Sequence, residues 1–92
     1  MSRSVDFEFD QQKSESNKTK QGIDFEEAHA LWNDPDAVEV ELKYPDEQRH
    51  ARIARLFEGS TELWTAIFTL RSEKVRLSSV RRARTKEKEH YG

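Results

Sequence analysis

Basic residues recur in this chain with a spacing that could do chemistry. Arg49, Arg52 and Arg55 fall at every third position of one segment. Arg71, Lys74 and Arg76 follow on the next hairpin, and Arg81, Arg82, Arg84, Lys86 and Lys88 crowd the C-terminus. Residues 71–92 carry 8 basic and 3 acidic side chains, a balance of +5. Arginine binds phosphate with two parallel hydrogen bonds and stacks on bases, and aromatic rings such as Tyr91 stack as well. An arginine-lined sheet face is therefore chemically suited to RNA. A solubilising charged surface with a basic tail has the same composition, so composition leaves both readings open. Glu39 and Glu41 share one side of a strand and read as a solvated or partner-facing edge.

Other chemistries lack a supporting motif. With no cysteine, disulfide scaffolds, thiolate zinc sites and cysteine nucleophiles are excluded. The three glycines, Gly22, Gly59 and Gly92, are too scattered for a phosphate-cradling loop. His29, His50 and His90 show no metal-ligand spacing, and no nucleophile-elbow motif is present.

The elements that must position the basic residues follow from periodicity. Val5-Asp-Phe-Glu-Phe9 alternates as a short strand. Asp10 reads as a helix N-cap and Gly22 as the glycine that ends that helix. Gln11 to Gln21 between them holds no apolar residue, so this helix is expected to be exposed or to pack on something other than the chain's own core. Asp24-Phe-Glu-Glu27 fits a capping box. Phe25, Ala28 and Trp32 then share one helical face, and Pro35 stops the helix. Val38–Lys43, Arg49–Phe57, Leu63–Leu70 and Val75–Ser79 read as strands, with Leu63–Leu70 central and Val75 and Leu77 inward. Tyr44–Glu47, Glu58–Thr61 and Arg71–Glu73 are the connections. Thr85 is placed to cap a short helix through Tyr91. Helices grouped before strands with short connections predict a small α+β domain, its helices on one face of an antiparallel sheet.

Length and charge set the frame. Ninety-two residues make a single small domain with a modest core. Leu, Ile, Val and Phe number 19, close to the lower bound for a folded chain, and nine aromatics pull toward folding. The net charge of −2 hides a polarity: residues 1–47 hold 5 Lys/Arg and 13 Asp/Glu, a balance of −8, and residues 48–92 a balance of +6. Either the basic half faces a polyanion or the two halves attract within one fold. The N-terminus has no apolar signal region, and Leu63–Leu70 is far too short to span a membrane.

The motifs together resemble a known family. Phe7-Glu-Phe-Asp10, with Lys13 and Asn17, resembles the F-E-[WF]-D-x-x-K-x-x-x-N signature of BrnT-type toxins, the ribonucleases of bacterial type II toxin–antitoxin pairs. Lys20-Gln-Gly-Ile-Asp-Phe-Glu-Glu-Ala28 is similar to their K-H-G-[VI]-x-F-E-E-A segment. Asp34-Pro35 matches the acidic-Pro stop, and Glu47-Gln-Arg49 the E-x-R turn. Val75-Arg-Leu-Ser-Ser-Val-Arg-Arg-Ala83, with Glu87 and Tyr91, resembles the closing I-R-I-I-S-A-R-[RK]-A…E…Y pattern. The resemblance runs from about Phe7 to Tyr91. Gln21 stands where the family has histidine, and glutamine cannot serve as an acid or base near neutral pH. Ser79-Val80 replaces the usual S-A.

The resemblance implies a RelE-like α+β fold in one domain, residues 1–92, acting in the cytoplasm. It implies RNA cleavage that blocks translation, without a cofactor or metal, because the RNA's own 2′-hydroxyl can attack its phosphate. It also implies neutralisation by a BrnA-type antitoxin, through which alone the operator DNA is reached. A non-catalytic binding module on the same fold is the alternative. Arg81 and Arg82 match the paired basic positions and are expected to hold the scissile phosphate; a salt bridge to Glu87 or Glu89 is the competing role. Arg49 is expected at the phosphate, or paired with Asp46 or Glu47. His50 beside it is a candidate general base. Lys20, Arg76, Arg84 and Tyr91 are candidate RNA contacts, although Tyr91 could instead pin the last helix. Glu39 and Glu41 are the expected antitoxin contacts.

Overall fold

The computed structural model describes residues 6–45 and 47–91. Val5 of the expected first strand and Asp46 of the expected turn lie outside the described residues. Five strands form one sheet: β1 (Asp6–Glu8), β2 (Val38–Lys43), β3 (Gln48–Ala54), β4 (Trp64–Arg71) and β5 (Lys74–Arg82). Their spatial order is β1-β5-β4-β3-β2, which makes β4 the central strand, as its apolar run predicts. Helix α1 spans Gln11–Gln21, a 3-10 helix spans Glu27–Asn33, and α2 spans Thr85–His90. Among the described residues no helix is long and apolar enough to cross a membrane.

The sheet is mixed rather than antiparallel. Strands β2 to β5 form the expected meander, but β1 pairs in parallel with β5, Phe7 opposite Val75. A parallel neighbour needs a long crossover, and here everything from α1 to β4 supplies it. The hairpin between β4 and β5 turns on Ser72 and Glu73, both left-handed at φ 47° and 69°. Two consecutive left-handed residues suit the twist of a tight hairpin.

Helix α1 behaves as its boundaries predict. Asp10 Oδ1 accepts from the N–H groups of Gln12 and Lys13, and Gly22 ends the helix at φ 83°. Its anchor is polar and internal, which corrects the expectation of a helix held from outside. Ser14 Oγ accepts from the Phe25 N–H at 2.9 Å. Asn17 Nδ2 donates to the carbonyls of Ile23 (2.7 Å) and Val80 (2.9 Å), and Asn17 Oδ1 accepts from the Val80 N–H (3.2 Å). The carboxamide thus pairs with Val80 as a neighbouring strand would, beyond the point where β1 ends.

The Asp24–Glu27 capping box is present in both directions, at 2.7 and 3.0 Å. It opens a 3-10 rather than an α-helix. With three residues per turn, the buried stripe is Phe25, Ala28 and Leu31, and Trp32 is only half-buried. These residues join Ala54, Trp64, Ala66, Phe68, Val75, Leu77 and Val80 in the core on one face of the sheet. Helix α2 lies on the other face, so the helices do not all share one side. Thr85 is its first residue and not its cap; Glu87 caps instead, accepting from the Arg84 N–H at 2.7 Å.

Candidate functional site: an arginine-lined sheet face

The second face of the sheet is set by strand alternation. Arg49 on β3 is opposite Leu42 on β2. On β5, Arg76 is opposite Thr69, Ser79 opposite Ile67, and Arg81 opposite Thr65. The floor between the arginines is small or apolar, formed by Ala51, Ile67 and Thr69, all buried. Helix α2 covers one end of this face, and no other helix among the described residues lies on it.

A bulge decides which arginine points here. Ile67 pairs with Ser79 but Phe68 pairs with Leu77, leaving Ser78 as an extra residue. An inserted residue shifts the side-chain parity by one. Val75 and Leu77 point into the core, and beyond the bulge Val80 does so too. Arg81 therefore points to the second face and Arg82 to the helix-covered one. Arg82 is an exposed group (70% of its side chain), paired with Glu62 at 3.4 Å and set over the Trp64 ring.

Arg81 is held firmly. Its Nη1 and Nη2 donate to the two oxygens of Glu87 at 2.7 and 2.6 Å. Thr65 Oγ1 also donates to Glu87, at 3.0 Å. The hydrogen bonds from Arg81 chiefly pull the Glu87 carboxyl down to about 2, against the opposing effect of burial and with help from Arg84 N–H and Thr65. Arg81 is raised in turn, first by these hydrogen bonds, against its partial burial, then by the charges of Glu87 and the Tyr44 phenol. The expected salt bridge to Glu87 is thus formed; Nη1 also donates to the Arg82 carbonyl at 3.4 Å, and a guanidinium with five N–H donors keeps others beyond these bonds.

At the other end, Arg49 stacks over the Tyr44 ring with its Cζ 4.6 Å from the centroid. Glu47 approaches both Arg49 (3.7 Å) and Arg71 (3.8 Å), and Arg76 is 3.7 Å from Glu8. All three contacts are long, so these guanidinium groups remain open to an anion.

The other expected site residues are placed elsewhere. His50 stacks on Phe68, ring centroids 5.3 Å apart, on the helix-covered face. Strand alternation separates it from its neighbour Arg49, so the two do not converge. Lys20 and Gln21 are exposed in the last turn of α1. Arg84 is exposed at the start of α2. Tyr91 pins the chain end: its hydroxyl donates to Asp34 at 2.7 Å and its ring lies under Arg55. Burial pushes the Asp34 carboxyl up, but bonds from the Arg55 N–H, the Tyr91 hydroxyl and the Asp36 N–H outweigh it and leave it at about 2. Glu39 is engaged by Arg52 at 2.7 Å, and Glu41 is exposed beside it on the edge strand β2.

Sequence reasoning passed over Tyr44. The signal was there: Val38, Val40 and Leu42 alternate toward the second face, and the next residue in that series is Tyr44. Among the described residues no group of three His, Cys, Asp or Glu side chains is placed to hold a metal ion.

A small α+β domain with helices on one face of its sheet and the Arg49, Arg76 and Arg81 guanidinium groups on the other presents a basic face on a rigid sheet. The chain belongs to the BrnT family: the family model for the ribonuclease toxin BrnT of type II toxin–antitoxin systems matches residues 9–87. A search of curated proteins gives no match.

Proposed function

We propose that the protein is an endoribonuclease toxin that cleaves RNA on the arginine face, with no metal ion, and so blocks translation in the cytoplasm. One observation carries the reading: Arg49, Arg76 and Arg81 share a single sheet face in a BrnT-family chain. The scissile phosphate is assigned to Arg81, and flanking phosphates to Arg49 and Arg76.

The chemistry needs alignment and charge stabilisation. The RNA 2′-oxygen forms a bond to the adjacent phosphorus and gives up its proton to water. The bond from phosphorus to the 5′-oxygen breaks, and that oxygen takes a proton from water. A 2′,3′-cyclic phosphate and a 5′-hydroxyl result. Arginine stays protonated, so Arg81 serves as a fixed positive group against the charge that builds on the phosphate oxygens. Glu87 is a positioning residue, holding Arg81 in one orientation. His50, Arg82 and Gln21 have no part in this scheme.

The partner is a BrnA-type antitoxin, through which the complex reaches operator DNA. We place it on the acidic edge of β2, at Glu39 and Glu41, where a basic polypeptide would be steered by charge.

The test is cleavage of end-labelled RNA by purified protein in the presence of a chelator. Cyclic-phosphate and 5′-hydroxyl ends are expected. Arg81→Ala is expected to lower the rate about 100-fold or more, the scale of losing one transition-state donor. An Arg81→Ala protein that is folded and still cleaves normally overturns the assignment.

A further inference from the structure

The Tyr44–Arg49 pair has more exposed and unpaired chemistry than a structural contact needs. Tyr44 is 45% exposed, one of few large apolar side chains left at the surface. One side of its ring carries the Arg49 guanidinium, so the exposed surface is the rest of the ring. Arg49 Nε is buried and finds no hydrogen-bond acceptor. Among the described residues its ion-pair partner is Glu47, which stays 3.7 Å away from Nη2. Pro45 restricts the backbone of the residue before it, Tyr44, to extended geometry.

We propose that Tyr44 and Arg49 form a base-stacking subsite for single-stranded RNA: the free side of the Tyr44 ring takes one nucleobase, and the part-exposed Nη end of the Arg49 guanidinium donates to an oxygen of the same nucleotide. The proposal rests on the arginine face being the RNA-cleaving surface. Every base has a π-face, so this subsite supplies affinity and strand register with little sequence preference. It also explains why the arginine sits on the ring: the guanidinium is turned toward the strand before the RNA arrives.

The test uses a short 2′-O-methyl RNA, which binds but cannot be attacked, so affinity is read apart from cleavage. Tyr44→Ala is expected to weaken binding about fivefold to a hundredfold, the range found for loss of one stacked base. Tyr44→Phe keeps the ring and is expected to bind within twofold of the native protein. Scanning the RNA with single abasic positions should find one position that weakens native binding by a similar factor. At that position the abasic change should cost Tyr44→Ala nothing further. Native affinity in Tyr44→Ala, or penalties that multiply at every position, overturns the subsite. If Arg81→Ala abolishes cleavage while Tyr44→Ala is silent, only the subsite falls. If the native protein neither binds nor cleaves RNA, both readings fall together.

Discussion

Replacing Asn17 by alanine should cost this protein a large part of its stability. The residue is 8% exposed and makes three hydrogen bonds, two to Val80 and one to Ile23. Removing the carboxamide leaves one buried N–H and two buried carbonyls short of a partner. An unsatisfied buried group costs about 1–3 kcal/mol, and carbonyls tolerate under-pairing better than N–H groups. The Val80 N–H then dominates, and a total of about 2–4 kcal/mol is expected. Small domains have roughly 5–15 kcal/mol in all. At about 4–8 °C per kcal/mol for a domain of this size, the melting temperature should fall by roughly 10–30 °C. Urea unfolding followed by tryptophan fluorescence reads the loss directly. Asn17→Asp is a sharper probe, since it aims a carboxylate at two carbonyls and should be worse than alanine at neutral pH. Losses below about 0.5 kcal/mol in both variants, on the scale of a surface change, would refute the idea that this carboxamide stands in for a strand.

The neighbouring arginines should separate cleanly: Arg82→Ala is expected to stay within about threefold of native RNA cleavage, on the scale of an exposed ion pair, whereas Arg81→Ala is not, and steady-state kinetics on labelled RNA compares them. His50→Gln should likewise leave the rate of cleavage nearly unchanged, because the imidazole lies on the other side of the sheet; a loss of 100-fold, the scale of a missing general base, would reinstate it. Glu87 and Asp34 both titrate at about 2 in the folded chain, below their unfolded values near 4, so the unfolded state binds more protons in between. Their stabilisation is therefore complete above about pH 5 and is lost as pH falls toward 2, about 3 kcal/mol together having gone by pH 3, which urea midpoints measured from pH 7 to pH 3 will show as a fall or, against the argument, as a plateau. Glu73→Gly removes a side chain from a left-handed position at φ 69° and should stabilise the hairpin by about 0.5–1 kcal/mol, visible as a higher melting temperature.

Local signals in the sequence determined the local structure. Asp10, Gly22 and the Asp24–Glu27 pair mark helix ends through bonds that span only a few residues, and such bonds do not depend on the rest of the fold. The apolar run Leu63–Leu70 names the central strand for a similar reason, since a strand buried on both faces needs it. The ordered motifs from Phe7 to Tyr91 were enough to point to the family. Tertiary structure decided what periodicity could not. Alternation carried on from Val75 and Leu77 would turn Arg81 inward and Arg82 outward; the extra residue at Ser78 reverses them, and a bulge depends on the neighbouring strand's register. Asn17 looks like an ordinary polar residue of an exposed helix until the end of β1 leaves Val80 without a partner. The parallel docking of β1, the turn of α2 onto the arginine face and the separation of His50 from Arg49 follow from pairings between residues far apart in the chain. Those pairings, rather than the basic composition, place Arg49, Arg76 and Arg81 on one surface.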